Sequence, residues 1–361
     1  MKILTVVGAR PQFIKAAALS RELRRAHREI LVHTGQHYSG NMSDIFFKEL
    51  DLPAPDYNLG VGSGGHGVQT GRMLARIETV LLKERPDCVL VYGDTNSTLA
   101  GALAAVKLHI PVVHVEAGLR SFNRGMPEEI NRILTDQAST LLFCPSRTAA
   151  ANLRKEGIVA GVHIVGDIMQ DALLFAARKA ARRSAVLQKL GLEPGGYLLA
   201  TVHRAENTDD PVRLRRILSA LRTLAKGEPV IFPVHPRTKK QMRALGAGHG
   251  RVRMIAPVGY LDMIMLERSA RLILTDSGGV QKEAYWLEVP CLTLRDETEW
   301  VETVPSGWNR LVGANEQDIV RAARAARRPA AHPHLYGDGR SARRCASLLR
   351  LGPPRFNRVS R

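Results

Sequence analysis

The sequence has few cysteines and no long hydrophobic run. The four cysteines, Cys88, Cys144, Cys291 and Cys345, form no Cys-x-x-Cys pair and have no histidine at zinc spacing. Three lie in apolar runs, which predicts buried free thiols and favours a reducing, cytoplasmic setting. No stretch approaches the roughly 20 apolar residues that cross a bilayer. The opening Met1–Val7 is typical of a strand and not of a signal peptide.

Aromatic residues are also scarce, at 5% of the chain, while positive charge is abundant. The formal charge is +18, but residues 321–361 hold eleven arginines and one acid and so supply +10 of it. Nothing in the sequence interleaves basic and aromatic residues as single-stranded nucleic-acid binders do. We therefore expect no nucleic-acid partner, and a diphosphate ligand explains the charge better.

Length and composition indicate a soluble protein of two domains. At 361 residues the chain exceeds what one hydrophobic core usually organises. Apolar residues make up 45% and charged residues 24%, as in ordinary globular proteins.

Short runs rich in Val, Ile and Leu alternate with longer helical patterns, which is typical of buried parallel strands in α/β proteins. The first series of predicted strands is Lys2–Val7, Glu29–Thr34, Cys88–Tyr92, Pro111–Val115, Thr140–Cys144 and His163–Val165. The second is Tyr197–Val202, Pro229–Val234, Val252–Ala256, Arg271–Thr275, Pro290–Leu294 and Asn309–Val312. Predicted helices include Gln12–Arg25, Gly67–Glu84, Thr95–Lys107 and Glu128–Ala138.

Two successive series predict two doubly wound, Rossmann-like domains that face a cleft, with boundaries at residues 1–167 and 168–340. Ligands of such sheets bind beyond the carboxyl ends of the strands. The residues directly after each strand are therefore the candidates for function.

The segment Gly8-Ala9-Arg10-Pro11 follows the first strand and opens a helix. Free N–H groups at such a helix start attract an anion, and Arg10 and Lys15 add positive charge. The motif is not Gly-x-Gly-x-x-Gly, which argues against a nicotinamide dehydrogenase. An ordinary strand-helix turn with two surface cations is the alternative.

A second helix start lies at Asp276-Ser277-Gly278-Gly279. The glycines let a ligand approach the backbone closely, and Ser277 places a hydroxyl at the positive end of the helix dipole. Glu283, one turn further, is placed to accept hydrogen bonds from a ribose. Capping by Asp276 or Ser277 is compatible with phosphate binding.

Three acids, Asp94, Glu116 and Glu128, lie at or just beyond strand ends. Each alone is typical of a helix cap or a salt bridge. Together at one sheet edge, with His203 facing from the other domain, they indicate general acid-base chemistry. No metal-ligand spacing or Ser/Cys nucleophile motif is present, so we expect no metal.

The motifs at the strand ends run in order from residue 8 to residue 339. They are Gly8-Ala9-Arg10-Pro11 with Lys15, Gly93-Asp94-Thr95, His114–Arg120, Pro127–Arg132, His203-Arg204 with Glu206-Asn207, Pro233-Val234-His235, Asp276–Gly279 and Tyr336–Gly339. Together they resemble the non-hydrolysing UDP-N-acetylglucosamine 2-epimerase family over essentially the whole chain.

The resemblance implies a glycosyltransferase-B-like pair of domains with a UDP-sugar in the cleft. It also implies that residues 341–361 form a helix and tail crossing back to the first domain. Members of this family invert C2 of the sugar without a nicotinamide or other cofactor. Their route removes the C2 hydrogen while the C1–O bond to UDP breaks, giving 2-acetamidoglucal, and then re-adds UDP with a proton on the opposite face.

By resemblance, the residues fall into three groups. Proton transfer on two faces falls to Asp94, Glu116 and Glu128, with His203 assisting and Arg132 holding Glu128 ionised. UDP or substrate binding falls to Arg10, Lys15, the amides of Ser277, Gly278 and Gly279, Glu283 for the ribose, and the segment from Val258 to Met263 for uracil. A second, regulatory UDP-N-acetylglucosamine site corresponds to Gln36, Arg72, Arg204 and His235.

The chain departs from the family pattern at several positions. Trp300 stands where the family commonly has an arginine that contacts the nucleotide sugar, and the opening motif reads Gly-Ala-Arg-Pro-Gln. Both variants resemble a subgroup that includes epimerases of UDP-2,3-diacetamido-2,3-dideoxyglucuronate. His37-Tyr38-Ser39 also differs from the usual run beside the regulatory site.

UDP-N-acetylglucosamine is the default substrate and the diacetamido-glucuronate the alternative. A hydrolysing epimerase, a glycosyltransferase and a catalytically silent UDP-sugar-binding regulator are the other hypotheses. The resemblance further implies a homodimeric, cytoplasmic enzyme that supplies surface polysaccharide synthesis and has no membrane partner.

Overall fold

The computed structural model describes residues 1–36, 51–246 and 248–352, except for the side chain of Arg10. The chain divides into two compact units. Met1–Phe175 and Tyr336–Arg361 form the first, and Ala176–Leu335 forms the second.

The division between the units falls inside the helix Ile168–Arg183, whereas the sequence places it at residue 167. The start of this helix belongs to the first unit because the Asp171 carboxylate accepts the N–H groups of Ser341 and Ala342, both at 3.0 Å. The Asp167 N–H also donates to the carbonyl of Tyr336 at 2.7 Å. These bonds hold the C-terminal segment in the first unit from Tyr336 onwards.

The first unit is built on a parallel sheet with the order β3-β2-β1-β4-β5-β6-β7. Its strands are β1 (Lys2–Val7), β2 (Arg28–His33), β3 (Tyr57–Asn58), β4 (Cys88–Tyr92), β5 (Val112–Val115), β6 (Leu141–Cys144) and β7 (Val162–Ile164). Its helices are α1 (Arg10–Leu23), α2 (His66–Glu84), α3 (Asn96–Lys107), α4 (Pro127–Ala138), α5 (Arg147–Lys155) and the start of α6 (Ile168–Arg183).

The second unit repeats this plan with the parallel order β10-β9-β8-β11-β12-β13. Its strands are β8 (Leu198–Thr201), β9 (Val230–Pro233), β10 (Arg253–Ile255), β11 (Leu272–Thr275), β12 (Cys291–Thr293) and β13 (Asn309–Leu311). Its helices are α7 (Val186–Leu190), α8 (Ala205–Thr208), α9 (Pro211–Leu224), α10 (Pro236–Ala244), α11 (Tyr260–Ser269), α12 (Gly278–Trp286) and α13 (Glu316–Ala325). A last helix, α14 (Ser341–Arg350), packs against α1 in the first unit.

Both sheets are apolar on both faces, as the sequence predicts. In β8, Leu198 and Ala200 join one hydrophobic cluster, and Leu199 joins the cluster on the opposite face. Alternate residues of a strand point to opposite faces, so a continuous apolar run is what a helix-covered parallel sheet requires. The two-unit α/β prediction is confirmed.

The strand order reverses direction between β1 and β4 in the first unit and between β8 and β11 in the second. Ligands of doubly wound sheets bind at such switch points, beyond the carboxyl ends of the strands. The candidate residues after β4, β5, β8 and β11 therefore lie where the fold creates a site.

The four cysteines are buried free thiols, as predicted, and none forms a disulfide within the described residues. Burial raises the pKa values of Cys88, Cys144 and Cys291 to about 12. These thiols are inert packing residues. In the part of the chain that the structure describes, no helix is long and apolar enough to span a membrane.

Candidate functional site

The register of the first sheet places two of the predicted acids side by side. Tyr92 of β4 pairs with Val115 of β5, so Asp94 and Glu116 leave neighbouring strands at the same edge. The ammonium of Lys15, which is 7% exposed on α1, forms an ion pair with Glu116. Burial alone would lower the pKa of Lys15, but the carboxylates of Glu116, Asp94 and Asp167 together outweigh burial, and the pKa is raised. This edge therefore holds a largely buried carboxylate with its own cation.

Backbone geometry aims Glu116 at this edge. Its φ of 76° is in the left-handed region, which is uncommon for a residue with a side chain and is concentrated at functional sites. Gly93 faces it with a φ of 63°, and a Cβ there would lie 3.2 Å from Glu116 Oε2 and 3.4 Å from Lys15 Nζ. Glycine at position 93 thus leaves room for the ion pair.

Asp94 has a cation of its own, Arg132 on α4. The sequence assigns Arg132 to Glu128, and this assignment is wrong. Arg132 Nη1 binds Glu129 at 2.5 Å, and its Nη2 binds Asp94. Glu128 is exposed at the helix start, whereas Glu129 is buried.

Glu129 is buried because the preceding loop closes over it. Its carboxylate accepts the N–H and hydroxyl of Ser121 and the N–H of Phe122, all at 2.9 Å. Burial alone would raise the pKa of Glu129, but these donors and Arg132 hold it below its ordinary value. Glu129 therefore positions Arg132, and Glu128 is left free to face solvent or a ligand.

A buried network of His114, Asp136 and Arg120 lies behind the same edge of the sheet. His114 Nε2 faces the Gly93 carbonyl at 2.8 Å, and its Nδ1 faces Asp136 at 2.7 Å. Arg120 reaches the other oxygen of Asp136 at 2.7 Å. Burial would raise the pKa of Asp136, but His114 and Arg120 lower it. The network fixes the loop that carries Gly93 and Asp94.

The helix start after β1 differs from the sequence expectation. The N–H groups of Gly8 and Ala9 donate to Gln12 Oε1 at 2.7 and 3.0 Å, so they are not free to bind an anion. Gln12 Nε2 in turn donates to the Tyr92 carbonyl at 2.8 Å. The anion-binding role predicted for this turn therefore depends on Arg10 and Lys15, and the side chain of Arg10 lies outside the described residues.

In the second unit, Asp276 organises the edge after β8 and β11. Its buried carboxylate accepts the N–H groups of His203 at 3.0 Å and Arg204 at 3.0 Å, and the side-chain amide of Asn207 at 3.2 Å. Thr275 pairs with Thr201, which brings Asp276 beside the chain that leaves β8. Asp276 is thus a positioning residue, and Ser277 is the residue that caps α12.

His203 is half-buried at this edge, with Nδ1 3.4 Å from Asp276 Oδ1. Burial lowers the pKa of His203, Asp276 opposes this, and His235 and Arg204 add to it. The His235 ring lies 5.7 Å from the His203 ring and accepts the Arg237 N–H at 3.2 Å as the cap of α10. The structure therefore brings His203, His235 and Arg204 together.

The start of α12 presents Gly278 and Gly279 in the first turn, where N–H groups have no acceptor within the helix. Trp300 covers this turn: its indole N–H donates to the Gly278 carbonyl at 2.8 Å. The ammonium of Lys282 lies 3.9 Å from the ring centre of Trp300, which is a cation-π contact. Trp300 thus shapes the predicted diphosphate site.

The remaining predicted binding residues are Glu283 and the segment from Val258 to Met263, and both lie at least partly within helices. Glu283 lies half-buried on the second turn of α12. Val258 precedes α11, but the N–H of Met263 donates to the Gly259 carbonyl at 2.9 Å inside the helix. Of the segment predicted to offer backbone groups, Met263 has its N–H taken up inside the helix, whereas the first-turn N–H groups of α11 have no acceptor within the helix.

The predicted regulatory residues are divided between the units. Gln36 and Arg72 lie in the first, where Gln36 Oε1 accepts the Ser97 N–H at 3.1 Å and Arg72 is exposed. Arg204 and His235 lie in the second. The variant run His37-Tyr38-Ser39 lies outside the described residues. Within the described ranges, no group of three or more His, Cys, Asp or Glu is arranged to hold a metal ion.

Comparison with known proteins identifies the family. A sequence model described as UDP-N-acetylglucosamine 2-epimerase matches residues 21–350. The chain belongs to the UDP-N-acetylglucosamine 2-epimerase family.

Similar proteins span the whole chain. A protein of Methanococcus maripaludis named UDP-N-acetylglucosamine 2-epimerase homolog is 54% identical over 97% of this chain and 99% of its own length. UDP-2,3-diacetamido-2,3-dideoxy-D-glucuronate 2-epimerase of Pseudomonas aeruginosa is 54% identical with the same coverage. The crystal structure of the Methanocaldococcus jannaschii UDP-GlcNAc 2-epimerase in complex with UDP-GlcNAc and UDP is 46% identical, covers 98% of this chain and 100% of its own, and has a TM-score of 0.84.

Proposed function

We propose that this epimerase-family protein inverts C2 of a UDP-linked 2-acetamido sugar by eliminating and re-adding UDP. The observation that supports this most is the pair of carboxylates on adjacent strand ends, Asp94 and Glu116. Each is paired with its own cation, Arg132 or Lys15. A base that removes a proton from carbon must be ionised and held in place before the substrate arrives, and a fixed cation supports both conditions.

In the proposed step, one carboxylate takes the C2 proton while the C1–O bond breaks and its electron pair leaves with UDP. The products of this half-reaction are 2-acetamidoglucal and UDP. UDP then adds back to C1 while a second acid delivers a proton to the other face of C2. Asp94, Glu116 and the exposed Glu128 are the groups we propose for these two transfers.

The edge of the second unit supplies groups suited to the departing diphosphate. The first-turn amides of Gly278 and Gly279 and the Ser277 hydroxyl stand at the positive end of α12. Because burial lowers the pKa of His203, the free protein holds it neutral at pH 7. A diphosphate beside it favours its protonation, so we propose that His203 takes up a proton from solvent as UDP leaves and releases it when UDP adds back.

We propose UDP-N-acetylglucosamine as the first substrate to test, because the similar Methanocaldococcus enzyme is described in complex with it. A second candidate, the UDP-2,3-diacetamido-glucuronate, is favoured by 54% identity to the Pseudomonas enzyme that is named for it. Trp300, which contacts Gly278, also differs from the arginine expected there. The two substrates must therefore be assayed side by side to identify the sugar.

The test is a product assay on the purified full chain with each UDP-sugar in turn. The proposed mechanism predicts that the UDP-linked C2 epimer appears, with a transient 2-acetamido glycal and UDP. Release of free 2-acetamidomannose would identify a hydrolysing enzyme instead. UDP binding without turnover of either sugar would identify a regulator and contradict the proposal.

We further propose that the enzyme is a homodimer working in the cytoplasm on precursors of surface polysaccharide. These proposals rest on the family resemblance. Light scattering on the purified chain tests the first: a mass near twice 39.7 kDa supports a dimer, and a mass near 39.7 kDa contradicts it.

A further inference from the structure

The second unit contains a pocket that the proposed reaction does not use. It has a volume of about 570 Å³, within the range of small-molecule sites. It lies at the carboxyl ends of β12 and β13, between α9 and the start of α13. Among the described residues, its lining includes five arginines and two aspartates: Arg213, Arg216, Arg295, Arg310, Arg321, Asp296 and Asp318.

Two of these arginines are neutralised by the aspartates of the lining. Arg213 Nη1 binds Asp296 at 2.9 Å, and Arg321 pairs with Asp318. Within the described chain, Arg216 and Arg310 have no side-chain hydrogen bond or ion pair. Since Arg295 is also paired, with Glu299, the positive charges of the lining that no ion pair among the described residues neutralises are those of Arg216 and Arg310, and these attract anions.

Arg295 supplies the buried wall of the pocket. It is 6% exposed, and its Nη1 is held by Glu299 at 2.9 Å. Its Nε has no hydrogen-bond acceptor among the described residues, since the Glu206 carboxylate lies 3.9 Å away. A buried guanidinium N–H without a hydrogen-bond acceptor is costly, so Arg295 has an unmet donor beside the pocket.

Hydrogen bonds hold Arg213 at the base of the pocket. Arg213 Nε donates to Asn207 Oδ1 at 3.0 Å, and Asn207 donates to the Leu294 carbonyl at 2.9 Å. A Cβ at Gly313, whose φ is 58°, would lie 2.7 Å from Asp296 Oδ1. Guanidinium groups held on fixed elements bind phosphate or carboxylate with little loss of entropy.

We propose that this pocket binds a small polyanion with two or more phosphate or carboxylate groups. The described lining includes none of Ser277, Gly278 and Gly279 at the start of α12. Arg216 and Arg310 are its free cations, and Arg295 is its buried anchor.

The test measures binding of inorganic pyrophosphate to the full chain by titration calorimetry, with and without excess UDP. Citrate, run in parallel at matched ionic strength, distinguishes a carboxylate ligand from a phosphate ligand. The expected result is pyrophosphate binding that persists in excess UDP. The double variant Arg216→Ala/Arg310→Ala weakens it at least tenfold. Arg215→Ala, an exposed neighbour on α9 outside the pocket lining, leaves it unchanged.

Three results would overturn the proposal. The first is the absence of binding of both pyrophosphate and citrate at millimolar concentration. The second is complete displacement of pyrophosphate by UDP, which places it at the nucleotide site. The third is equal weakening by Arg215→Ala and by the double variant, which indicates nonspecific attraction to a basic surface.

Discussion

Two neighbouring glutamates at the start of α4 are predicted to differ in how substitution by glutamine affects stability. Glu129 is 1% exposed and accepts three hydrogen bonds at 2.9 Å from Ser121 and Phe122 as well as the Arg132 ion pair. Glu129→Gln removes the charge and turns an amide N–H₂ towards these donors. Breaking a buried pair in this way costs about 3–5 kcal/mol of unfolding free energy.

The pH dependence of stability gives this prediction a second readout. The pKa of Glu129 is lowered on folding, so its stabilisation is fully present above the unfolded pKa, near the ordinary value of 4.5. It is lost as the pH falls through the lower folded pKa. Glu129→Gln should therefore lower the urea midpoint at pH 7 and lose less stability than the wild type below pH 4.5.

Glu128→Gln is the matched control, because Glu128 is exposed and exposed substitutions change stability little. Its urea midpoint should equal that of the wild type, while kcat falls at least tenfold because a proton-transfer group is lost. Equal urea midpoints for Glu129→Gln and the wild type would refute the role assigned to Glu129. Unchanged kcat in Glu128→Gln would remove Glu128 from the reaction.

Three further predictions concern Asp94, Asp136 and Trp300. Asp94→Asn should reduce turnover by at least 100-fold, the range of general acid-base catalysis, while calorimetric UDP affinity stays within about twofold; wild-type turnover would exclude Asp94 as an acid-base group. Asp136→Asn should lower the urea midpoint by the equivalent of about 3–5 kcal/mol because it leaves the buried His114 without its carboxylate and Arg120 with Glu156 alone; a midpoint within error of the wild type would contradict this. Trp300→Arg should change the ratio of kcat/KM for the two UDP-sugars at least tenfold, and an unchanged ratio would exclude Trp300 as a specificity determinant.

The strands were predictable because burial on both faces leaves a continuous apolar run in the sequence. Lys2–Val7 and Cys88–Tyr92 match the structure end to end. The edge strand Tyr57–Asn58 escaped prediction because two residues are too few to show a pattern. The strand-end acids were also predictable, since parallel strands deliver their C-terminal residues to one edge.

Side-chain partners were less predictable because they depend on loops. The spacing of Glu128 and Arg132 suits a helical pair, yet the loop at Ser121 and Phe122 surrounds Glu129 and makes it the partner. Similarly, nothing in the local sequence after β1 shows that Gln12 folds back onto the N–H groups of Gly8 and Ala9. Pairings across loops are decided by tertiary packing that residue spacing does not encode.

The central claim, C2 inversion by elimination and re-addition, is tested most directly by proton NMR of the full chain in deuterated water. Each UDP-sugar is supplied separately, and the C2 position of both substrate and product is followed. Elimination and re-addition predict that deuterium enters C2 as the UDP-linked epimer accumulates from at least one of the two sugars. Epimer formation with the C2 proton fully retained, or no exchange and no epimer from either sugar, would contradict it.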